Sequence, residues 1–469
     1  MKIFRFERTR PQLIKAAFKK CLQTFFENAQ SDDLQANLVK GAAGSFALKI
    51  SNLSLSLVVS ILLARLLGVK GYGVYAYAMA LIGLLSLPAS LGLPELLVRE
   101  VAAYRARSDW GRLRGLLQRA NQASLSMSVL LILLAGAISW VLAERFDSIA
   151  LTTFWLSLGL LPMIVLNSLR EATLRGLCHV VLGQLPDSLF RPGVFIVLSV
   201  AVYWLSGKEQ FSPKLAMDLQ LGATATALVI GTFLLIRRLP KAVKSAIAHY
   251  DTRVWLKSSV PFLFLGGMFL INSHTDIIML GWFRSAAEVG VYRVATTGAG
   301  LVTFALLSVN LALGPRIVQL YQSGEIQKLQ RIITLSSRGV LLFSLPLALI
   351  FIFFGEFILS WVFGAAFGAG STPLAILCIG QLINAGMGSV GLILNMTGHE
   401  HDSAEGVAIA AAVNVVLNTV FIPMWGLNGA AGATAISMVT WNTILSVRVH
   451  QRLGMYPTVF GSFSLREAK

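Results

Sequence analysis

Twelve apolar stretches of about 20 residues run along this chain, each long enough to cross the hydrocarbon core of a bilayer. They fall at roughly 44–67, 72–94, 121–143, 149–169, 187–206, 215–236, 259–282, 289–313, 336–354, 371–395, 405–424 and 428–449. Hydrophobic residues make up 55% of the 469 and charged residues only 13%, with a mean hydropathy of +0.71. An ordinary soluble domain carries charge on about a quarter of its residues. The chain is therefore read as an all-α polytopic membrane protein of about twelve transmembrane helices.

The stretch Gly68–Ala78, GVKGYGVYAYA, returns as GWFRSAAEVGVYRVA (Gly281–Ala295), each copy at the junction of two apolar stretches. Gly68 matches Gly281 at an offset of about 213 and Gly73-Val74-Tyr75 matches Gly290-Val291-Tyr292 at about 217. Pro94 matches Pro315 at about 221, and Gly176 matches Gly398 at about 222. An offset that grows in small steps is what loop insertions do to a duplicated domain. Two related halves predict two pseudo-symmetric six-helix lobes with a cargo site between them and alternating access by movement of one lobe against the other. The domain reading is a basic segment over 1–43, lobes over 44–238 and 259–450, a basic linker over 239–258 and a tail over 451–469. The repeated block reads as two equivalent outer hinges, beside which the halves differ: Ala76 stands where the second copy has Arg293.

Lysine and arginine set the orientation. With the N-terminus cytoplasmic, about 31 fall inside and about 7 outside, with Lys49 within a span. Both termini are then cytoplasmic. The net charge of +17 reflects topology and attraction to anionic lipid headgroups, and it does not call for nucleic acid. Ile14, Phe18, Cys21, Leu22 and Phe25 lie at helical spacing beside Lys15, Lys19 and Lys20, which fits either an amphipathic helix on the membrane surface or a basic tail. Cys21, Cys178 and Cys378 form no CxxC pair, and Gly207-Lys208 lacks the glycine of a nucleotide-binding loop. No cofactor or metal is indicated. His399, Glu400, His401 and Asp402 are adjacent, a spacing that suits a solvated turn better than a tetrahedral ion.

The segment LLARLLGVKGYGVYAYAMALIGLLSLPASLGLPELLVRE, with Arg65, Gly68, Gly73, Tyr75, Gly92 and Arg99, resembles the opening of polysaccharide biosynthesis proteins, the oligosaccharide flippases often called Wzx. HTDIIMLGWFRSAAEVGVYRVA resembles their second block, and NVVLNTVFIPMWGLNGAAGATAIS (Asn414 to Ser437) resembles their third. The resemblance covers about 44 to 450, and its specific part is the order and spacing of loose motifs. It implies a V-shaped, MATE-like pair of lobes shared with multidrug extruders and lipid II flippases. The cargo it implies is a polyprenyl-pyrophosphate-linked oligosaccharide unit, moved to the outer leaflet of the cell inner membrane for O-antigen (lipopolysaccharide), capsule or exopolysaccharide synthesis. A polysaccharide polymerase and chain-length regulators are the partners it implies. The twelve spans, against the fourteen usual in lipid II flippases, favour the oligosaccharide branch.

Such a cargo calls for a polar cavity with a few fixed positive charges, and an ionisable group inside a span is a functional hypothesis by default. Ser45, Lys49, Asn52, Ser56 and Ser60 share one face of the first span. Lys49 either faces a cavity or snorkels to the headgroups. Arg293, Thr296, Thr303 and Asn310 lie near one face of the eighth, where Arg293 either binds a pyrophosphate oxygen or anchors a helix end. Asp276, one turn from Asn272, is the candidate for proton or sodium coupling, or else a partner of Arg293 or Lys49, while His274 points elsewhere. Asp187 with Arg191, and Glu95 with Arg99, have the spacing of local ion pairs, and Arg99 is also placed to meet the pyrophosphate from the cytoplasm. Asn414 and Asn418, like Gln381, Asn384 and Asn395, either hydrogen-bond sugar hydroxyls or tie helix to helix. Pro88 with Gly92 is the expected bending point. A drug or cation extruder on the same fold would prefer acidic residues where Lys49 and Arg293 stand. A membrane polymerase would show large outer loops and no duplication.

Overall fold

The computed structural model describes residues 32–145, 147–207 and 211–461, and among them every regular element is helical. Eight helices are long and apolar enough to cross a membrane, and two bent pairs, Thr252–Met268 with Leu270–Phe283 and Ala286–Val302 with Phe304–Asn310, bring the number to ten. The two longest helices are each two crossings, because the chain reverses at Gly68 (φ 67°) and at Gly426 (φ 56°). In an unbroken helix Ser60 and Tyr72 would stand about 18 Å apart. Their hydroxyls are 2.8 Å apart. Asn414 and Ser437 would be separated by about 34 Å, yet the Asn414 amide donates to the Ser437 hydroxyl at 3.3 Å. A reversal through a left-handed φ is cheap only for glycine. The described residues thus hold twelve crossings, six in each lobe.

Several helices begin earlier than hydropathy predicts. The first starts at Asp32, inside the segment expected over 1–43, whereas residues 1–31, with Cys21 and the basic amphipathic face, lie outside the described residues. The third starts at Trp110 and the ninth at Ile326, about ten residues before their apolar stretches. The polar first turns of the third and ninth helices each have a chain segment folded onto them. The seventh helix starts at Thr252, inside the linker expected over 239–258, and the remaining residues 239–251 lie on the third helix: the His249 N–H donates to the Gly111 carbonyl at 3.0 Å, and Arg114 donates to the carbonyls of Lys244 and Ala246, both at 2.7 Å. Residues 454–461, expected as part of a tail, pack on the ninth helix in the same way. Gln330 exchanges two hydrogen bonds with the backbone of Tyr456, at 2.7 and 2.8 Å, and the Val459 N–H donates to the Gly386 carbonyl at 3.0 Å. Both lobes therefore close with a strap from the end of the sixth helix back to the third, which supports the duplication.

The lobes cross through the repeated block. A Cβ added to Gly73 would lie 1.6 Å from the Ala286 carbonyl oxygen, and one added to Gly290 would lie 2.2 Å from that of Val69. The two matched glycines thus face each other, so the block forms one close crossing where two separate hinges were expected. Towards the other end of the molecule the second helix stops at Ser90, turns through Leu91 and Gly92, and restarts at Leu93, close to the expected bend. There the Trp255 indole donates to the Tyr104 hydroxyl at 2.9 Å and again joins the lobes.

Candidate functional site

Between the lobes, beside the glycine crossing, lies a cavity of about 300 Å³. Ala76 and Arg293, the matched positions at which the two copies differ, both line it, together with Ser56, Ser60, Arg191 and His274. The eighth helix that carries Arg293 begins at Ala286, where the Ser285 hydroxyl accepts from the Glu288 N–H at 3.3 Å as a side-chain N-cap. Val289, Tyr292 and Val294 bury the face against the lobe and leave Arg293 exposed to the cavity. Its guanidinium has no hydrogen bond or ion pair among the described residues. Arg191, from the fifth span, stands 3.7 Å from Asp187.

Of the matched tyrosines, Tyr75 lines the cavity and Tyr292 is buried inside its own lobe. Tyr75 donates to the Gln220 side chain at 3.3 Å, and Tyr292 donates to Asp276 at 2.9 Å. Asp276 is only 6% exposed and also accepts from the Asn418 amide at 2.8 Å and from the Thr434 hydroxyl. Asn418 donates in turn to Asn414 at 3.0 Å, while its own side-chain oxygen is buried with no partner among the described residues. Asp276 makes no ion pair there, with Arg293, Lys49 or any other cation. In the N-terminal lobe the matched Tyr75 meets no acid: it bonds Gln220, and together with the hydrogen-bonded Ser60 and Tyr72 these residues form part of the cavity wall. The repeated tyrosine thus meets a carboxylate in one copy of the duplicated frame and an amide in the other.

Comparison with known proteins fits this architecture. Residues 38–321, more than half of the chain, match the family described as polysaccharide biosynthesis protein. The chain belongs to the polysaccharide biosynthesis protein family. Residues 267–420 also match the MatE family. A relative from Haloferax volcanii, described as a probable low-salt glycan biosynthesis flippase, is 27% identical over 181 residues, which are 39% of this chain and 38% of that protein. Two solved structures share the fold. An inward-facing multidrug resistance MATE transporter has a TM-score of 0.71 at 15% identity, covering 86% of this chain and 94% of that one. A lipid II flippase in an inward closed conformation has a TM-score of 0.66 at 15% identity, covering 88% of this chain and 87% of that one.

Within this family frame the other expected residues scatter. Asn414 and Asn418 are fully buried inside the C-terminal lobe and do not line the cavity. Lys49 is exposed on the first helix and Asn52 is half-buried beside Ser56, so Ser56 and Ser60, further along the same stripe, are its cavity-lining members. Arg99 pairs with Glu100 at 3.0 Å and lies over the Phe262 ring at 5.5 Å, away from the cavity. The expected Glu95–Arg99 pair does not form. Helix restart at Leu93 turns Glu95 towards the fourth helix, where Arg175 stands at 3.7 Å. His274 does point away from Asp276, towards the second helix, where a Cβ on Gly83 would lie 2.7 Å from its Nε2. The acidic and histidine run at 399–402 starts the eleventh helix, with Asp402 held by Arg452 at 2.8 Å, and no group of three metal-ligating side chains forms among the described residues. Sequence reasoning missed Tyr292 and Thr434 as partners of Asp276. The repeated tyrosine was the available signal for the first, and nothing local marked the second.

Proposed function

We propose that this protein is a flippase, a transporter and not an enzyme, that moves polyprenyl-pyrophosphate-linked oligosaccharide units across the membrane by alternating access of its two lobes. The observation that carries this reading is Arg293, an unpaired arginine lining a cavity between two pseudo-symmetric lobes. A guanidinium recognises two phosphate oxygens at once, and a cation left without an acceptor in the membrane interior is costly unless a ligand supplies one. The cavity volume of about 300 Å³ is at the small end for ligand sites, so a pyrophosphate with its first sugar fills it, and the lobes must part for the rest of the cargo. The two arginines in the lining, with no carboxylate among the described residues that form it, disfavour an extruder of cationic drugs.

The same reading takes the cytoplasmic side to be the one where the linker over 239–251 and the last residues gather, with delivery to the outer leaflet of the inner membrane. There a polymerase would consume the product. Asp276 is the candidate coupling group. A carboxylate buried among three neutral donors is stabilised by taking up either a proton or a sodium ion, and the unpaired Asn418 oxygen adjoins it. Lys49, Asn52 and Arg99 are proposed to meet the cargo on its way in, and Asn414 and Asn418 to act through Asp276. Deleting the gene in its host should deplete surface polysaccharide and accumulate the lipid-linked unit on the cytoplasmic side, with restoration by the wild-type gene and not by R293Q. Normal surface polysaccharide after deletion, in a host with no second copy, would count against the proposal.

A further inference from the structure

We infer that Arg191 is a second ligand for the cargo anion, supplied by the N-terminal lobe, and that Asp187 is the resident counter-ion which the pyrophosphate displaces from it. This rests on the pyrophosphate reading above. The fifth span is not a uniform helix: Val180–Leu185 passes through a π-helical turn at Pro186–Phe190 before Arg191–Ser206 resumes the α-helix. The Arg191 N–H reaches back five residues to the Pro186 carbonyl. A π-turn inserts one residue into the helical register and re-aims the side chains that follow, and such turns recur at functional sites. Here it brings Arg191 and the buried Pro192 to the wall of the cavity that Arg293 lines from the opposite lobe.

The Asp187–Arg191 pair is also loose. At 3.7 Å it is beyond hydrogen-bonding distance, as are the Arg175 pairs at 3.7 and 3.8 Å, whereas Arg452 and the buried Asp402 stand at 2.8 Å and the surface pair Lys70–Asp147 at 3.0 Å. A partly buried arginine tied by no hydrogen bond keeps its donors for something else. Arg170 shows the contrast within the same lobe: it is buried, and the Leu166 and Leu228 carbonyls, the Thr232 hydroxyl and the Asn167 side chain satisfy it. Arg170 also lies within electrostatic reach of Asp187, so the carboxylate keeps a cation when Arg191 turns to the cargo. With Asp187 so released, Arg191 and Arg293 present two positive charges to a doubly anionic pyrophosphate, one from each lobe. The anion then bridges the lobes.

The two readings of the pair differ in sign. If it is only a structural pair, D187N and R191Q act alike. If Asp187 competes with the cargo, they act oppositely. Binding of a short-chain prenyl pyrophosphate to the purified full-length protein, with the matching prenol as control, separates them. The expected result is about tenfold weaker binding for R191Q, recovery in R191K, and binding tightened about threefold or more in D187N. R191Q and D187N both binding as wild type, or both weakening, while R293Q weakens binding, would overturn the assignment of Arg191 and leave the pyrophosphate reading standing. Failure of wild type to prefer the pyrophosphate over the prenol would overturn both. Should R191Q not fold, the direction of D187N alone decides.

Discussion

Arg170 and Arg293 are the same residue type in the same membrane, and their surroundings assign them opposite tasks. Arg170 has its donors spent on the fold; Arg293 has none spent. Replacing Arg170 by glutamine should lower stability by roughly 1–3 kcal/mol, the usual cost of stripping partners from buried polar groups. Replacing Arg293 by glutamine should leave the unfolding temperature within a degree or two and impair transport, and thermal unfolding of both variants in detergent checks the pair. The sequence exposed Arg293 because it breaks a repeat, with Ala76 as its counterpart. It could not rank Arg191, since i, i+4 spacing with Asp187 says that a pair is possible and nothing about its distance. Asn414 and Asn418 were legible as one helical face. Which way that face looks depends on the packing of the seventh and twelfth helices against it, and no local signal carries that.

At the level of elements, hydropathy found the twelve crossings and misplaced their ends, because an apolar window cannot see a polar turn held helical by a docked segment. It also could not tell whether Gly68 and Gly426 continue a helix or reverse it. The far ends of the eleventh and twelfth helices, opposite the Gly426 reversal, yield a pH test. Asp402 accepts from Arg452 and faces Arg448 at 4.0 Å, and the Arg452 hydrogen bond holds its carboxyl below the usual carboxylate range. A lowered folded-state pKa means that the contribution is present at neutral pH and is lost as the pH falls through that lowered value. D402N should therefore be less stable than wild type at neutral pH, and the difference should close on acidification. Thermal unfolding of both proteins from about pH 7 down to about pH 3 measures it; a gap that widens in acid would contradict the pairing.

For the whole molecule, the lobes are two bodies that meet at the glycine crossing beside the cavity and again where Gly92 packs on Ser259 and Leu263 and the Trp255 indole donates to Tyr104. A methyl at Gly73 cannot coexist with the Ala286 carbonyl 1.6 Å away, so G73A must part the lobes there or strain them, at about 1–3 kcal/mol. Distances between spin labels on the Gly68 and Gly364 turns, one in each lobe, should lengthen or broaden in G73A relative to wild type, and an unchanged distribution would mean that the crossing is not where the lobes are held. The duplication was legible from residue matches alone, and so was the likeness to flippases; the tyrosine–carboxylate pair made by Tyr292 and not by Tyr75 was not, because it depends on which residues converge on each tyrosine hydroxyl. The central claim is that an anionic lipid-linked oligosaccharide is carried through the cavity between Arg191 and Arg293. Its most direct measurement is the sidedness over time of a fluorescent polyprenyl-pyrophosphate oligosaccharide in vesicles holding the purified protein. Wild type should translocate it well above protein-free vesicles, and R293Q should be at least about tenfold slower. Wild type no faster than empty vesicles, or R293Q as fast as wild type, would contradict the account.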